Sequence, residues 1–524
     1  MRHLDWLQYF NRDFILGNDQ FYLRVVTVVT LAYFLYRLVQ NRRTLALKSL
    51  KACGDQHGCL PMQTWIPYKW PLALDILKRQ YDASSEQQLL LFQSQYFNKL
   101  GPNMTFKLFG NQGYLTADPK NVEAILSTNF EDWVLGSRRP DLFPMLGEGI
   151  FTQDGHSWKH SRELLRRQFV RIHRQDSRVF DAHVEDLITK IGSASGVVDL
   201  QPHFLRFTLA TTTALIFGEP VISVPGEETD AFEKSFDYAS YISALRLRLA
   251  DFEWIWKPAK FNQACAVIKD FAMHFVQLAL EEMKQNGEKA AADKYAFIVE
   301  LYKEMQDPEL VRDQLVHVLI AGRDTTACLL SWAFFLLVRH PEVLAKLRAE
   351  IQVVTGGSSE INRGIIAKMK YLRCVINEVQ RLYPQLPFNV RVAARTTVLP
   401  SGGGPDGQSP VLVPKNTGVG YSVYHMHRQK SVYGDDAESF RPERWLGPDL
   451  DNVGWGFMPF HGGPRICLGK DFALTEASYA IIRIIQTFPG LKLPPGLPIS
   501  PTGEEKQAMT IVVMSADGCK VSLK

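Results

Sequence analysis

A long apolar segment in the middle of the chain, from Val311 to Arg339, restricts the possible folds more than any other part of the sequence. Its residues follow a helical pattern, and its second half is apolar on all sides rather than on one face. Such a helix cannot lie on a protein surface, so the pattern predicts a helix that runs through the interior. Pro341 ends it and begins the next helix, because proline is tolerated at the first helical position.

The remaining patterns are mostly helical, with a short region of strands. Further helices are predicted over residues 366–383 and 470–488, the second with apolar residues on one face at helical spacing. Residues 390–396 and 410–414 read as strands, and the Gly- and Pro-rich residues 401–409 between them predict a hairpin loop. The predicted fold class is therefore mainly α with a minor β region.

Composition excludes several classes of protein. The chain of 524 residues is 46% hydrophobic and 22% charged, as is typical of a folded globular protein that can enclose a cavity. These values exclude a disordered chain, a collagen and a multi-span membrane protein. The formal net charge of +4 is too small for a nucleic-acid footprint. The seven scattered cysteines form no CxxC pair, which argues against a disulfide framework or a zinc ribbon.

An apolar run over residues 21–39 has the length of a membrane span, since it would cover about 28 Å as a helix. Arg24 near its start could snorkel to the headgroups. Basic residues follow the run, which places the bulk of the chain in the cytoplasm. We predict a lumenal segment at 1–20, a single anchor at 21–39, a basic, proline-containing linker at 40–71 and a globular body at 72–524. The alternatives are an interfacial helix and a cleaved signal peptide, which the missing small-residue cleavage site disfavours.

A loop ahead of the last helix surrounds Cys467 with unusual neighbours. Gly462, Gly463 and Gly469 would let the backbone approach a flat group closely. Arg465 lies two residues before the cysteine, where its charge could favour a thiolate. A lone cysteine is usually a small buried hydrophobic residue. An anionic sulfur on a rigid loop, however, is what a haem iron needs as its proximal ligand.

The spacing of Phe460, Gly463, Arg465, Cys467 and Gly469 resembles the cysteine-ligand signature of the cytochrome P-450 superfamily, the haem-thiolate monooxygenases. The resemblance implies a triangular helical prism around a long central helix, with the body after the linker as the catalytic domain. It also implies haem b, with Cys467 as the axial iron ligand and Phe460 beside the cofactor. Dioxygen would be the co-substrate, and NADPH–cytochrome P-450 reductase would supply electrons, with cytochrome b5 as an optional second donor.

Residues 321–326 in the middle of the long helix combine a glycine, an acid and two threonines. By local rules this is a weak helix centre, and a kink without chemistry is the alternative. In the family that the chain resembles, an opening here makes room for dioxygen over the iron. Asp324 and Thr325 resemble the acid–alcohol pair that delivers protons to bound oxygen.

A second motif pairs Glu378 with Arg381, three residues apart on one helix. Most such pairs are solvated and contribute little to stability. The resemblance implies instead a buried structural network under the cysteine loop, in which Arg441 also takes part.

A third motif is Trp158 followed one turn later by Arg162. Alone it is weak, and an ordinary amphipathic turn is the alternative. The resemblance implies that both residues bind a haem propionate, together with Arg391 and Arg465. The basic helix that contains Trp158 would also suit docking of an acidic reductase.

The residue stretches 399–410, 421–424 and 472–479 resemble a fungal branch that hydroxylates n-alkanes and fatty acids at or near the chain end. This resemblance implies an apolar, alkyl-chain substrate. Relatives in secondary metabolism leave a polyketide or modified lipid as the alternative. The implied location is the endoplasmic reticulum membrane, with a single span and a cytoplasmic catalytic domain.

Phe143, Leu146 and Phe388 are candidates for the substrate pocket. Arg246 and Arg248 could meet a fatty-acid carboxylate near a channel mouth, or form a solvated or membrane-facing stripe. 

Three other functions remain open from the sequence. One is a haem carrier or sensor without turnover, which would not need a proton relay, and a second is a haem-thiolate isomerase that works without NADPH. A zinc enzyme is the third, although His425 and His427 are the only close histidine pair of note and a third ligand is not apparent.

Overall fold

The computed structural model describes residue 37 and residues 48–173, 180–194, 196–220, 226–249 and 257–524. The predicted lumenal segment and anchor lie outside the described residues, apart from Arg37. Within the described ranges one helix is long and apolar enough to cross a membrane, Pro308–Arg339, and most of it is buried inside the protein. It is the predicted interior helix.

The helices are numbered in chain order. They are α1 (Leu74–Ser85), α2 (Leu89–Leu100), α3 (Pro119–Glu123), α4 (Arg138–Leu146), α5 (Gly155–His173), α6 (Asp181–Gly192), α7 (Leu200–Phe217), α8 (Gly226–Leu249), α9 (Ala259–Met305), α10 (Pro308–Arg339), α11 (Pro341–Thr355), α12 (Arg363–Lys368), α13 (Lys370–Leu382), α14 (Val423–Met426), α15 (Lys430–Tyr433) and α16 (Lys470–Thr487).

The strands are short and form small sheets. They are β1 (Asn103–Leu108), β2 (Asn111–Thr116), β3 (Trp133–Val134), β4 (Val197–Asp199), β5 (Phe388–Ala393), β6 (Thr397–Gly403), β7 (Ser409–Val413), β8 (Gly418–Ser422), β9 (Gln507–Met509), β10 (Val513–Ser515) and β11 (Lys520–Ser522). The largest sheet has the order β1-β2-β8-β5-β3, and the pairs β6-β7, β9-β10 and β4-β11 form two-stranded sheets. The predicted class, mainly α with a minor β region, is confirmed.

Helix α10 forms the axis of the core. Asp307 caps its start by accepting hydrogen bonds from the backbone N–H groups of Glu309 and Leu310. The helix continues unbroken through Gly322, where a kink was one alternative. A Cβ at Gly322 would lie 2.5 Å from the Thr212 hydroxyl of α7, so the glycine permits close packing of the two helices.

Two large apolar clusters meet on α10. Its C-terminal half packs with α6, α13 and α16, and the rings of Trp332 and Tyr383 stack at 3.8 Å between centroids. Its N-terminal half packs with α7, α8 and α9, and the rings of Phe217 on α7 and Phe275 on α9 stack at 4.4 Å. The C-terminal half of α10, which is apolar all round, thus buries every face over residues 326–338, as its sequence requires.

The strand pairing differs from the predicted hairpin. Residues 401–409 do lie in a hairpin, but its strands are β6 and β7. Residues 390–393 belong to β5, which pairs with β8 instead. The intervening turn at residues 394–396 separates β5 from β6, and a pattern of alternating apolar residues does not specify which strand is the partner.

Two other expectations need adjustment. The helix predicted at 366–383 is divided at Met369 into α12 and α13, whereas the last helix is confirmed with an end one residue earlier. The predicted linker at 40–71 contacts the body in its described part. Residues 48–56 are helical, and Met62 and Trp65 form β-bridges with Gly404 and Thr105 of the body.

Candidate functional site

Cys467 lies in a hydrogen-bonded loop between the turn Gly463–Arg465 and the start of α16. Its backbone N–H donates to the carbonyl of Phe460 at 3.1 Å. Gly463 has a φ of 65°, and a Cβ there would lie 1.9 Å from the carbonyl oxygen of Leu126. Only glycine fits this left-handed position, so the loop is fixed against the neighbouring helical turn.

The thiol of Cys467 retains accessible surface although protein atoms surround most of it. Burial raises its pKa, while the backbone N–H of Gly469 and the charge of Arg162 act to lower it. Arg162 donates to the carbonyl of Ile466 at 2.7 Å. Arg162 therefore lies beside the thiol, the position that the sequence suggested for Arg465.

One face of α10 stays accessible inside the protein. Between Asp313 and Val338 every residue is buried except Ala321, Gly322 and Thr325. Their spacing of i, i+1 and i+4 places them on one side of the helix. These three residues therefore retain accessible surface in an otherwise buried stretch of the helix.

Two chain segments connect that face to the cysteine loop. Phe151 donates its backbone N–H to His317 Nδ1 at 3.3 Å, one turn before Ala321. Its neighbour Ile150 accepts a hydrogen bond from Arg465 Nη1 at 3.2 Å. The cysteine loop and the accessible face of α10 thus flank the same segment.

Glu476 makes the second connection, and the sequence analysis did not single it out. This fully buried residue of α16 accepts a hydrogen bond from the Thr211 hydroxyl of α7, and Thr326, the neighbour of Thr325, acts to lower the pKa of its carboxyl. Burial raises the pKa of its carboxyl to about 8. A buried glutamate inside an apolar helical pattern is the signal that could have identified it.

The proposed relay residues have different surroundings. Thr325 donates its hydroxyl to the carbonyl of Ala321 at 2.6 Å and remains partly accessible. Asp324 is buried, and its carboxylate pairs with Arg323 at 2.9 Å. Burial raises the pKa of Asp324 against the attraction of Arg323. Arg323 also pairs with Asp237 of α8 at 2.7 Å, an ion pair that the sequence did not indicate.

Arginine side chains gather beside the cysteine loop. Arg465 donates to Asp154 at 2.7 Å, and its guanidinium lies 4.2 Å from the ring centroid of Trp158. Burial and the charge of Arg391 lower the pKa of Arg465 to about 9. Arg138, which the sequence analysis missed, has a pKa lowered to about 10 by burial and by Arg391. Among the described residues, Asp154 is the one carboxylate paired with any of these three arginines.

Polar groups of the β5 and β8 strands complete this region. His461 Nε2 and Asn389 Nδ2 lie 2.9 Å apart, and burial together with Arg391 and Arg138 lowers the pKa of His461 to about 3. The buried hydroxyl of Tyr421 has no hydrogen-bond partner within the described part of the chain. Among the described residues, the region therefore has more cationic than anionic side chains and one buried hydroxyl without a hydrogen-bond partner.

A buried network of ion pairs is connected by hydrogen bonds to the start of the cysteine loop. Both Glu378 and Arg381 are 0% exposed, and Arg381 donates to both carboxylate oxygens at 2.9 and 2.8 Å. Arg381 also donates to the carbonyl of His427 at 3.0 Å. His427 Nε2 in turn accepts the backbone N–H of Met458 at 2.8 Å, at the start of the cysteine loop.

The third charged side chain of this network is Arg444 rather than Arg441. Arg444 Nε donates to Glu378 at 2.8 Å, and Trp445 Nε1 donates to the other oxygen at 2.9 Å. Arg441 contributes its backbone N–H at 3.0 Å, while its half-exposed side chain pairs with Asp436. The expectation that the Arg441 side chain joins the network is therefore wrong, because Arg444 takes that place.

The predicted pocket residues are not equivalent. Phe143 is 38% exposed at the surface beneath Arg139 and Lys269, which excludes it from an internal pocket. Leu146 is buried in the apolar cluster that contains the N-terminal half of α10. Phe388 on β5 is partly accessible.

Several charged residues also differ from expectation. Arg246 is 1% exposed, with its guanidinium near the Phe261 ring and a bond to the carbonyl of Pro140, so it belongs to no solvated stripe. On α5, Arg166 and Arg167 both pair with Glu163. This pairing partly neutralises the basic helix that was expected to face a reductase.

The histidine pair has structural partners. His425 lies 2.9 Å from Ser94 and 2.7 Å from Ser422, while His427 contacts the backbone of Met458. Within the described ranges, no group of three or more His, Cys, Asp or Glu residues is placed to hold a metal ion.

Comparison with known proteins identifies the family. A family model described as Cytochrome P450 matches residues 66–516. The chain belongs to the cytochrome P450 family. A cytochrome P450 of Arthroderma benhamiae is 42% identical over 510 residues, which are 95% of this chain and 98% of the relative. Cytochrome P450 52A5 of Candida maltosa is 43% identical over 80% of this chain and 82% of its own length.

A third relative is named cytochrome P450 monooxygenase g430, from Fusarium. It is 39% identical to this chain, over 88% of this chain and 85% of its own length. The resemblance read from the sequence is confirmed, and this cytochrome P450 is a monooxygenase.

The geometry of the site fits the haem of a cytochrome P450. Of Arg138, Arg391 and Arg465, only Arg465 pairs with a carboxylate among the described residues. The buried Arg391 and the partly buried Arg138 are therefore cations without an anionic partner in the described chain. Burying charges without partners is costly, and the two propionates of haem would supply the missing negative charge. The unpartnered Tyr421 hydroxyl adds a donor in the same region.

Glu476→Gln is expected to increase stability at pH 8 but not at pH 5. The carboxyl titrates near 4.3 in an unfolded chain and at about 8 in the folded protein, so the native state loses stability as pH rises between these values. The gain at pH 8 should be on the order of 3 kcal/mol. Urea unfolding midpoints at both pH values would measure it.

Glu131→Gln is the control, because Glu131 is exposed and pairs with Lys159 at the surface. This variant should leave the pH dependence of unfolding unchanged. An equal effect of Glu476→Gln at pH 5 and pH 8 would contradict the assignment of Glu476 as a buried neutral acid.

Proposed function

We propose that this cytochrome P450 hydroxylates an apolar alkyl chain at or near its end, with Cys467 as the axial ligand of haem iron. The observation that carries the proposal is the accessible face of α10, formed by Ala321, Gly322 and Thr325 in an otherwise buried stretch and joined to the cysteine loop. Haem bound there would supply the activation of dioxygen.

The residues of this chain have three tasks in that reaction. The loop from Phe460 to Gly469 holds the sulfur, and Trp158, Arg162, Arg391 and Arg465 orient the cofactor. Thr325 and Asp324 hold and move protons, with the Thr325 hydroxyl on the accessible face and the Asp324 carboxyl behind it. The apolar clusters on both sides of α10 exclude bulk water from the reacting carbon.

Electrons would come from NADPH through a partner reductase. The surface around Arg162 and Lys470 supports this part of the proposal, since both cations lie next to the cysteine loop. The apolar run at 21–39 supports attachment to the endoplasmic reticulum membrane, with the described body in the cytoplasm. 

Thr325→Ala should uncouple NADPH consumption from product formation while substrate binding remains intact. The variant lacks the one hydroxyl on the accessible face of α10, so proton delivery loses its last donor. General acid groups typically contribute 10²- to 10⁴-fold, and we expect the coupling ratio to fall by about tenfold or more. Product and NADPH would be measured in the same reaction with reductase present.

Ser331→Ala is the matched control for this variant. Ser331 is buried on the same helix and donates to the carbonyl of Ala327 at 2.7 Å, just as Thr325 donates to Ala321. Its removal should leave coupling unchanged. Full coupling in Thr325→Ala would remove Thr325 from the relay.

The substrate class is tested by spectral titration with n-alkanes, fatty acids and polyketides, followed by mass analysis of products. Oxidation of alkyl chains near their end supports the proposal, while selective oxidation of a polyketide would contradict it. Product without NADPH would indicate an isomerase, and binding without any product would indicate a haem carrier.

A further inference from the structure

Arg248 near the end of α8 has an unusual environment for a cation. Its guanidinium donates to the Ser84 hydroxyl at 2.6 Å and to the carbonyl of Met509. Burial lowers its pKa, with only the nearby Tyr241 acting in the opposite direction. Among the described residues, no carboxylate forms an ion pair with it. Two neutral acceptors occupy part of a group that has five N–H donors.

The charge of Arg248 is therefore partly desolvated and uncompensated within the described part of the chain. Two more deeply buried arginines elsewhere in the structure, Arg323 and Arg444, each pair with two carboxylates. A desolvated cation without an acid is costly unless an anion binds to it.

A short series of contacts connects Arg248 with the proposed reaction site. Met509, which accepts its hydrogen bond, pairs with Val513 across the β9-β10 sheet. The carbonyl of Val513 accepts from Trp332 Nε1 at 2.8 Å and from the thiol of Cys328 on α10. Cys328 lies less than one turn after Thr325, so this sheet spans the distance between the cation and the accessible face.

Apolar side chains with accessible surface lie along this series of contacts, as the binding of an alkyl chain requires. Met509 and Ile511 are partly accessible, and Ile511 packs against the apolar cluster of the N-terminal half of α10. On the opposite side, α8 runs from Asp237, which contacts Arg323, to Arg248. These twelve residues span roughly 16 Å along the helix, the scale of a medium- to long-chain fatty acid.

We propose that Arg248 binds the carboxylate of a fatty acid, and that this contact places the opposite end of the chain at Thr325. The inference rests on the proposed function and narrows its substrate class to alkyl chains that carry an anionic head group. Ser84 and Met509 hold the guanidinium in position, and Arg248 sets how far the chain enters. Arg248 is a specificity-determining residue that takes no part in the chemical step.

The test compares dodecanoate, its methyl ester and dodecane on the haem-loaded full-length enzyme. Arg248→Gln should weaken the spectral binding of dodecanoate by about tenfold or more, the effect of losing a charged hydrogen bond. Binding of the ester and the alkane should change by less than about twofold. Hydroxylation of dodecanoate should also spread from the chain end to inner carbons, because the head group no longer fixes the depth of entry.

Ser85→Ala is the matched control, since the exposed Ser85 hydroxyl, next in the chain to Ser84, donates to the carbonyl of Asp82 at 2.7 Å and its removal keeps the charge of Arg248. It should bind all three ligands nearly as the unchanged enzyme does. Equal loss of all three ligands in Arg248→Gln, or unchanged dodecanoate binding, would overturn the assignment of Arg248. If the unchanged enzyme neither binds nor oxidises any of the three, the proposed function itself fails.

Discussion

Cys467→Ala is expected to abolish the Soret band of the reduced carbon-monoxide complex that is typical of thiolate ligation, and with it all monooxygenase activity. Cys467 supplies the accessible thiol in the cysteine loop, and Arg162 and the Gly469 backbone N–H favour its anionic form. Alanine supplies no ligand atom at this position. The change should be complete rather than partial, because the electron donation that favours O–O cleavage comes from this sulfur.

Cys374→Ala is the matched control. Cys374 is a buried thiol on α13, remote in sequence from the loop, and burial raises its pKa to about 11. This variant should retain the thiolate band in full. A thiolate band in Cys467→Ala, or its loss in Cys374→Ala, would overturn the ligand assignment.

Glu378→Gln should produce the second large effect, a loss of roughly 3–5 kcal/mol in the free energy of unfolding. Glu378 accepts hydrogen bonds from Arg381, Arg444, Trp445 and the backbone of Arg441 in a site with no exposed surface. Its neutral amide leaves Arg381 buried without a counter-charge and leaves Arg444 with Asp436 as its one carboxylate partner. Because Arg381 also positions His427 against the cysteine loop, haem retention should fall together with stability.

Arg441→Gln distinguishes the network from its surface. The Arg441 side chain is half-exposed and pairs with Asp436, while only its backbone N–H reaches Glu378. We expect the free energy of unfolding, measured by urea denaturation, to change by less than about 1 kcal/mol, as for other exposed ion pairs. If Arg441→Gln destabilised the protein as much as Glu378→Gln, the network described here would be wrong.

Much of the site could be predicted from sequence because its signals are local. The glycines around Cys467 indicate a backbone with restricted geometry. Gly463 does adopt a left-handed conformation in a space that has no room for a side chain. The spacing of Glu378 and Arg381 places both on one helix face, where they do pair. Such features depend on residues within one or two turns of each other, so a short pattern contains them.

Long-range choices could not be predicted in this way. Arg441 and Arg444 lie in the same turn, and only packing determined that the second points to Glu378. Phe143 and Arg246 were assigned the wrong environments for a related reason. The first lies on the exposed side of α4 and the second is buried against Phe261.

The sequence by itself determined that α10 runs through the interior, that Cys467 lies on a rigid loop, and that the chain is mainly helical. These properties follow from hydrophobic periodicity and backbone sterics, which act between near neighbours. The tertiary structure decided which side of α10 stays accessible and which arginines gather beside the cysteine loop. It also decided which cations, Arg248 among them, have no acid partner in the described chain. Those properties depend on elements hundreds of residues apart, such as α4 and β5, whose contacts form only when the core closes.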